Sequence, residues 1–170
     1  MNHTELYTRI ARIEDWQRII EIYNQSILES GKTADTEPQT LESRSEWLQE
    51  HLDEKYPILL AELNGQIIGW CSLSKYRPGR KALESTAEIS YYLDKNFQGV
   101  GFGTRLIEET INYAKDHGIK NLMAILLDIN KASSKILTKF GFEKWGHLPN
   151  IAEINGSRCG QFIFGKNIME

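Results

Sequence analysis

Apolar positions along the chain recur with two different periods, and the switches between them divide it into elements. Ile19, Ile20, Tyr23 and Ile27 return every three to four residues, which predicts a helix running from Asp15, a candidate N-cap, to Gly31. Leu6–Ala11 before it reads as a first strand. Past Pro38 and Thr40 a second helix is expected from Leu41 to about Leu52. It would turn Trp47 and Leu48 inward and hold Glu42, Arg44, Glu46 and Glu50 outward as a solvated charged face. Pro57 then opens a β-rich run, Ile58–Leu63, and Gln66–Leu73 follows after Asn64-Gly65. An Asn-Gly pair between two such runs is the strongest short-range hairpin signal. A basic loop, Lys75 to Lys81, leads to a further antiparallel candidate, Thr86–Leu93. A glycine cluster at Gly99–Gly103 introduces an amphipathic helix with Leu106, Ile107, Ile111 and Ala114 inward, closed by Gly118. The strand Asn121–Leu127, a helix Lys131–Phe140 ended by Gly141, and strands near Glu143–Leu148 and Gln161–Phe164 complete the series. The order β-α-α-β-β-β-α-β-α-β-β predicts an α/β layered fold with a mixed sheet. With no internal repeat and no linker-like stretch, residues 1–170 are expected to form one domain.

Composition narrows the function classes. The chain has 170 residues, 41% of them hydrophobic and 25% charged, which is globular and long enough for a core without disulfides or a structural metal. A formal net charge of -3 argues against a general nucleic-acid binder. No apolar run approaches a membrane span and the polar start lacks a signal-peptide core, so a soluble, cytoplasmic protein with no membrane partner is expected. Cys71 lies in a strand-like run and Cys159 in a Gly-flanked segment read as loop. Without a C-x-x-C they read as core filler and incidental thiol. His3, His51, His117 and His147 are scattered without ligand spacing, so no metal site is expected. His117, just before Gly118, suits a helix C-terminus.

The segment Gln98-Gly99-Val100-Gly101-Phe102-Gly103-Thr104 runs from a strand end into a helix start. Glycines there let the backbone approach a ligand, and free amides with the helix dipole favour phosphate. Thr104 stands where a dinucleotide fingerprint needs its last glycine, and Thr104-Arg105 is not the Lys-Ser/Thr pair of a Walker loop. A glycine-rich turn without a ligand stays open from these residues alone. The pattern Gln98-x-x-Gly101-x-Gly103, however, resembles the pyrophosphate-binding signature of the GNAT superfamily of N-acetyltransferases. Asn130-x-x-Ser133 ahead of Phe140-Gly141-Phe142 is similar to that superfamily's late coenzyme-contacting helix and following strand. Glu21-Ile22-Tyr23-Asn24, Thr36-Glu37-Pro38, Tyr56-Pro57 and Thr86-Ala87-Glu88 narrow the resemblance to its phosphinothricin-acetyltransferase-like branch.

The resemblance implies a mostly antiparallel central sheet flanked by helices, acetyl-CoA as cosubstrate, a small amino-acid-like amine as acceptor, and a homodimer. It places the coenzyme on Gln98, Gly99, Val100, Gly101, Phe102, Gly103 and Thr104, with Tyr91, Tyr92 and Leu93 offering backbone amides to the thioester and Asn130 and Ser133 bracing the pantetheine. It makes Glu88 the general base, a role that desolvation on a central strand would suit by raising its pKa. Arg80, in the basic loop, and Thr86 are implied for the acceptor, a guanidinium being suited to a carboxylate or phosphinate. The chain departs from the branch at Ile136-Leu137, where Leu-His is usual, at Ala34, where an aromatic is usual, and at Gly156-Ser157-Arg158-Cys159-Gly160, which lacks the branch's Trp and acid. No cysteine stands where a covalent relay needs one, so direct attack is expected. Trp145, Phe162 and Phe164 suit either an interface or core packing. A peptide acetyltransferase, a coenzyme A-binding module with little catalysis and a nucleotide binder are the alternatives.

Overall fold

The computed structural model describes residues 5–169; His3 lies outside them. One seven-stranded sheet runs through the chain in the order β1-β2-β3-β4-β5-β7-β6. The strands are β1 (Leu6–Ile10), β2 (Ile58–Leu63), β3 (Gln66–Lys75), β4 (Thr86–Leu93), β5 (Asn121–Leu127), β6 (Glu143–Ile154) and β7 (Ser157–Asn167). Only β4 and β5 pair in parallel; every other neighbouring pair is antiparallel. The helices are α1 (Trp16–Leu28), α2 (Ser45–Glu50), α3 (Phe102–Asp116) and α4 (Lys131–Lys139). The element order is the one the periodicity predicts, and the sheet is mixed and mostly antiparallel.

Two layers of core follow from strand alternation. Leu59, Ala61, Leu73, Ala87 and Ile89 meet Leu106, Ile107, Ile111 and Leu137 of α3 and α4 on one side of the sheet. Ile58, Leu60 and Trp70 meet Ile19, Ile20, Ile22 and Tyr23 of α1 and Leu48 of α2 on the other. The central β3 is buried on both faces, which is why its sequence is a near-continuous apolar run. On β4, Ala87, Ile89 and Tyr91 join the α3 side. Thr86, Glu88, Ser90 and Tyr92, each two residues apart, occupy the face toward α1 and α2.

Several expectations change. Helix α2 starts at Ser45 rather than near Leu41, and the residues before it form a turn in which Thr40 and Ser43 bond each other's backbone amides through their hydroxyls, at 2.9 and 3.0 Å. Asp15 does not cap α1. Its carboxylate takes the Arg12 amide at 2.7 Å and both terminal nitrogens of Arg9 at 2.7 and 2.9 Å, tying the end of β1 to the turn before the helix. Strands β6 and β7 are longer than read, because Asn155-Gly156, with φ of 50° and 76°, makes a second tight Asn-Gly hairpin. Cys159 is therefore a buried strand residue and not in a loop. Trp145 is half exposed, lying over Gly165, where any side chain would collide with its ring. No helix among the described residues is long and apolar enough to cross a membrane.

Candidate active site

Strands β4 and β5 pair only at Thr86–Asn121, Ala87–Leu122 and Glu88–Met123. Beyond Glu88 the two strands part, although β4 continues to Leu93 and β5 to Leu127. From Ile89 on, β4 stays paired to β3, but its other edge has no strand beside it. A parting of this kind leaves backbone hydrogen-bonding groups for an extended ligand to use as a strand would.

On one side of the opening lies a groove of about 400 Å³, lined by Tyr91, Tyr92, Leu93, Gln98, Gly99, Gly103, Asn130 and Ser133. Ser26, Lys32, Ile107, Ala132, Lys135 and Ile136 complete its wall. Gly99 and Gly101 have φ of 79° and 93°, with open space where a Cβ would stand. They are glycines for backbone conformation, and they leave the N-terminus of α3 uncovered. Gly103 is a glycine for packing: a Cβ there would stand 2.8 Å from Leu93 Cδ1. Val100 is exposed, Phe102 packs against the α3 core beside Phe97, and Gly101 and Thr104 form the loop and first turn without lining the groove.

Two polar side chains expected to meet a ligand are partly committed to the protein. Gln98 donates to the Leu93 carbonyl at 3.2 Å and accepts from Lys32 Nζ at 3.0 Å, fastening the glycine loop to the end of β4. Asn130 caps α4 by accepting the Ser133 amide at 3.1 Å, and its amide nitrogen lies 3.5 Å from the Lys32 carbonyl. The Tyr91 hydroxyl is buried without a hydrogen-bond partner. Burial pushes its pKa up to about 12, while Ser133, close by but outside hydrogen-bond geometry, pulls the other way. An unpaired β4 edge, an open glycine loop and an orphaned hydroxyl all fit a long, polar, phosphate-bearing ligand.

Across the opening is a cavity of about 390 Å³ on the α1 and α2 side. A narrow throat of about 40 Å³ between Ser90–Tyr92 and Ala124–Leu126 shares residues with both spaces, and Lys32 borders all three. The cavity walls are Tyr23, Trp47, Trp70 and Tyr92, with Thr33, Ala34, Ser74, Ser90, Leu127 and Gln161 between them. Trp70 anchors the aromatic cluster, donating to the Ile19 carbonyl at 3.0 Å and packing 4.8 Å from the Tyr92 ring centroid. Tyr23 meets Tyr92 edge-on at 4.9 Å.

Glu88 faces this cavity next to the throat. It makes no hydrogen bond or ion pair among the described residues, and burial raises its pKa above the ordinary carboxylate range. A carboxylate so placed can accept a proton from a ligand near neutral pH. Thr86, two residues earlier on the same face, is turned to Asn121 at 3.4 Å and does not line the cavity.

Arg80 is exposed and also lies outside the cavity wall. The guanidinium that does reach the wall is Arg44, which the helical pattern placed outward in solvent. It stacks 4.9 Å above the Tyr23 ring and 5.5 Å from the Trp47 ring, and donates to Asp35 at 3.2 Å. Arg44 stands three and four residues before Trp47 and Leu48, the spacing of one helical face, so its side chain turns to the same side as theirs in spite of its charge. Lys32 likewise lacked any motif. Its position after Gly31, which has φ of 88° and packs against Ile129, is a tertiary feature. Cys71, fully buried with its thiol pKa pushed up to about 12, and Cys159 line neither space.

The structure thus sets an open glycine loop, a splayed sheet and an unpaired carboxylate around one throat. The family model described as "Acetyltransferase (GNAT) domain" matches residues 6–143. The chain belongs to the GNAT acetyltransferases, enzymes that take their acetyl group from acetyl-CoA. It is 39% identical over 161 residues, 94% of this chain and 98% of the relative, to YwnH of Bacillus subtilis, which carries a phosphinothricin acetyltransferase name. It is 28% identical over 156 residues, 91% of this chain and 88% of the relative, to the L-methionine sulfoximine/L-methionine sulfone acetyltransferase of Pseudomonas aeruginosa. A crystal structure bearing a phosphinothricin N-acetyltransferase name superposes with a TM-score of 0.92 at 39% identity, covering 98% of this chain and all of that one.

Proposed function

We propose that residues 1–170 act as one acetyltransferase domain that moves the acetyl group of acetyl-CoA onto the α-amine of a small amino-acid-like acceptor, by direct attack in a ternary complex. The observation that carries this reading is the end of β4–β5 pairing at Glu88, which sets the groove and the cavity on opposite sides of one throat. Acetyl-CoA supplies the activated thioester. The glycine loop and the start of α3 hold its phosphates through backbone amides, with Lys32 and Lys135 as local positive charge in an acidic protein. Asn130 and Ser133 flank its arm, and the free β4 edge at Tyr91–Leu93 offers amides to the thioester carbonyl.

Glu88 takes the proton from the acceptor amine, so that the nitrogen lone pair is available at the throat. Arg44 holds the acceptor's carboxylate. One of its nitrogens is used by Asp35, and the remaining donors of its guanidinium are available to a ligand. The aromatic walls give a shape that suits a compact side chain, in keeping with relatives named for phosphinothricin, methionine sulfoximine and methionine sulfone. Arg80 and Thr86 have at most an outer role, at the cavity mouth. Cytoplasmic location and a homodimer, the latter using the exposed end of the sheet around Trp145, Leu148 and Ile151, belong to the same proposal.

An acetyl-CoA thiol-release screen over amino acids, methionine sulfone, methionine sulfoximine, phosphinothricin, polyamines and short peptides tests it. Turnover confined to free amino-acid-like amines is the expected result. Turnover of peptides alone would overturn the acceptor class, and no turnover with any amine would overturn the enzymatic reading.

A further inference from the structure

His51 is 6% exposed, at the C-terminal end of α2, and no part of the mechanism above uses it. Its Nδ1 stands 2.7 Å from the Trp47 carbonyl oxygen and its Nε2 stands 3.0 Å from Ser74 Oγ. A carbonyl can only accept, so Nδ1 carries the hydrogen. Burial lowers the His51 pKa; the Trp47 carbonyl and Glu50 oppose this and Lys75 adds to it, with a net fall that favours the neutral ring. Neutral imidazole with its hydrogen on Nδ1 has a lone pair on Nε2, and Ser74 must donate its single hydroxyl proton there. Ser74 therefore has only acceptor lone pairs left for its surroundings.

Those surroundings are the acceptor cavity. Ser74 lines its wall, and on the sheet it is the direct antiparallel partner of Glu88, which places both side chains on the same face. Directly opposed pairs of this kind hold their Cβ atoms about 5 Å apart, a span that one amino nitrogen can bridge. We infer that Ser74 is a second hydrogen-bond acceptor for the substrate's amino group beside Glu88, and that His51 is a positioning residue that fixes the serine as acceptor. Two neighbouring acceptors recognise a protonated primary amine and hold it beside the throat; removal of a proton by Glu88 frees the nitrogen lone pair, and the bond to Ser74 keeps the neutral amine in place as it turns toward the thioester. A hydroxyl or a secondary amide at the same place in a ligand has a single donor and cannot satisfy both. No proton passes to His51 in this arrangement, and Glu88 stays the only base.

The inference rests on the acetyltransferase reading, and its test separates the two. Nitrogen NMR of His51 should show the neutral Nδ1–H tautomer from pH 6 to 8, with the Nε2 resonance shifting in Ser74→Ala. An Nε2–H tautomer, or a ring that titrates in that range, overturns the inference whatever the acceptor. With the acceptor amine that wild type turns over fastest in the thiol-release screen, Ser74→Ala should raise the KM for the amine roughly tenfold, the loss expected for one hydrogen bond to a charged group. The KM for acetyl-CoA should hold, and Ser74→Thr should restore the amine KM. His51→Phe should raise the amine KM by a similar factor, and the double variant should be no worse than either single one. An unchanged amine KM in Ser74→Ala, with wild type active, overturns this inference and leaves the enzyme reading standing. A wild type inactive on every amine overturns both.

Discussion

The two spaces that meet at the throat are built by different means. In the groove beside the glycine loop the work falls largely to the backbone: positive φ at Gly99 and Gly101, close packing of Gly103 on Leu93, and a strand edge left free beyond Glu88. In the cavity that Glu88 faces it falls to side chains gathered from α1, the loop after it, α2 and the turn before it, and strands β3, β4, β5 and β7. A site made from backbone tolerates few sequences, because only glycine enters its conformations cheaply. A site made from side chains can be recast one residue at a time while the sheet beneath it stays the same. Relatives that share this fold can therefore differ in acceptor while agreeing on the donor.

The most severe way to break this division is at Glu88, where the two halves touch. Glu88→Gln should lower turnover by roughly 100- to 10,000-fold, the range for losing a general base, with acetyl-CoA binding preserved. The wild-type rate should fall on the acid side with a midpoint above the ordinary carboxylate range, because burial raises this pKa, and that limb should vanish in the variant. The sign for stability is the opposite. A carboxyl whose pKa is raised on folding favours the folded state at low pH and disfavours it once ionised. Glu88→Gln should therefore melt higher than wild type near neutral pH, and a lower melting point would argue that Glu88 is paired in solution.

Arg44→Ala should raise the acceptor KM by roughly 10- to 100-fold, as expected for a charge-assisted contact, and leave the acetyl-CoA KM unchanged. Arg80→Ala is the control: if it carries the larger acceptor defect, the cavity has been assigned the wrong guanidinium. Gly101→Ala reverses the pattern. A left-handed alanine costs about 1–2 kcal/mol, so the acetyl-CoA KM should rise roughly tenfold with the acceptor KM unmoved. Equal effects on both substrates would mean that the loop shapes the whole site.

The smallest expected effect lies between the halves. Asp94, whose side chain is 5% exposed, takes Arg18 at 2.6 Å and Gln25 at 3.0 Å from α1, and its other oxygen accepts the Asn96 amide at 2.9 Å. Burial alone would raise its pKa, but the Asn96 amide, Gln25 and Arg18 together outweigh it and the net shift is downward. Its contribution should be complete above the pKa of an unfolded aspartate, about 3.9, and be lost as pH falls through the lower folded value. Asp94→Asn should flatten that part of the acid-denaturation curve, and an unaltered curve would remove Asp94 as the cause.

Element order, the β2–β3 hairpin and the glycine loop were legible because each rests on local chemistry: apolar period, Asn-Gly, and glycines before an amphipathic run. The same Asn-Gly signal stands at Asn155-Gly156, where it closes the β6–β7 hairpin inside the segment that resembles a family motif. Arg44 differs in another way: its charge points to solvent, whereas its spacing of three and four residues from Trp47 and Leu48 points to the inner face, and the spacing decides.

By itself, then, the sequence determined what neighbours along the chain can settle: the succession of strands and helices, a glycine loop leading into a helix, and a glutamate on a central strand. Only the tertiary structure decided where β4 and β5 part, which basic residues face the cavity, and that Ser74 and His51 stand beside Glu88. Those facts depend on pairing between segments tens of residues apart, and no local pattern records which side chains such pairing brings face to face.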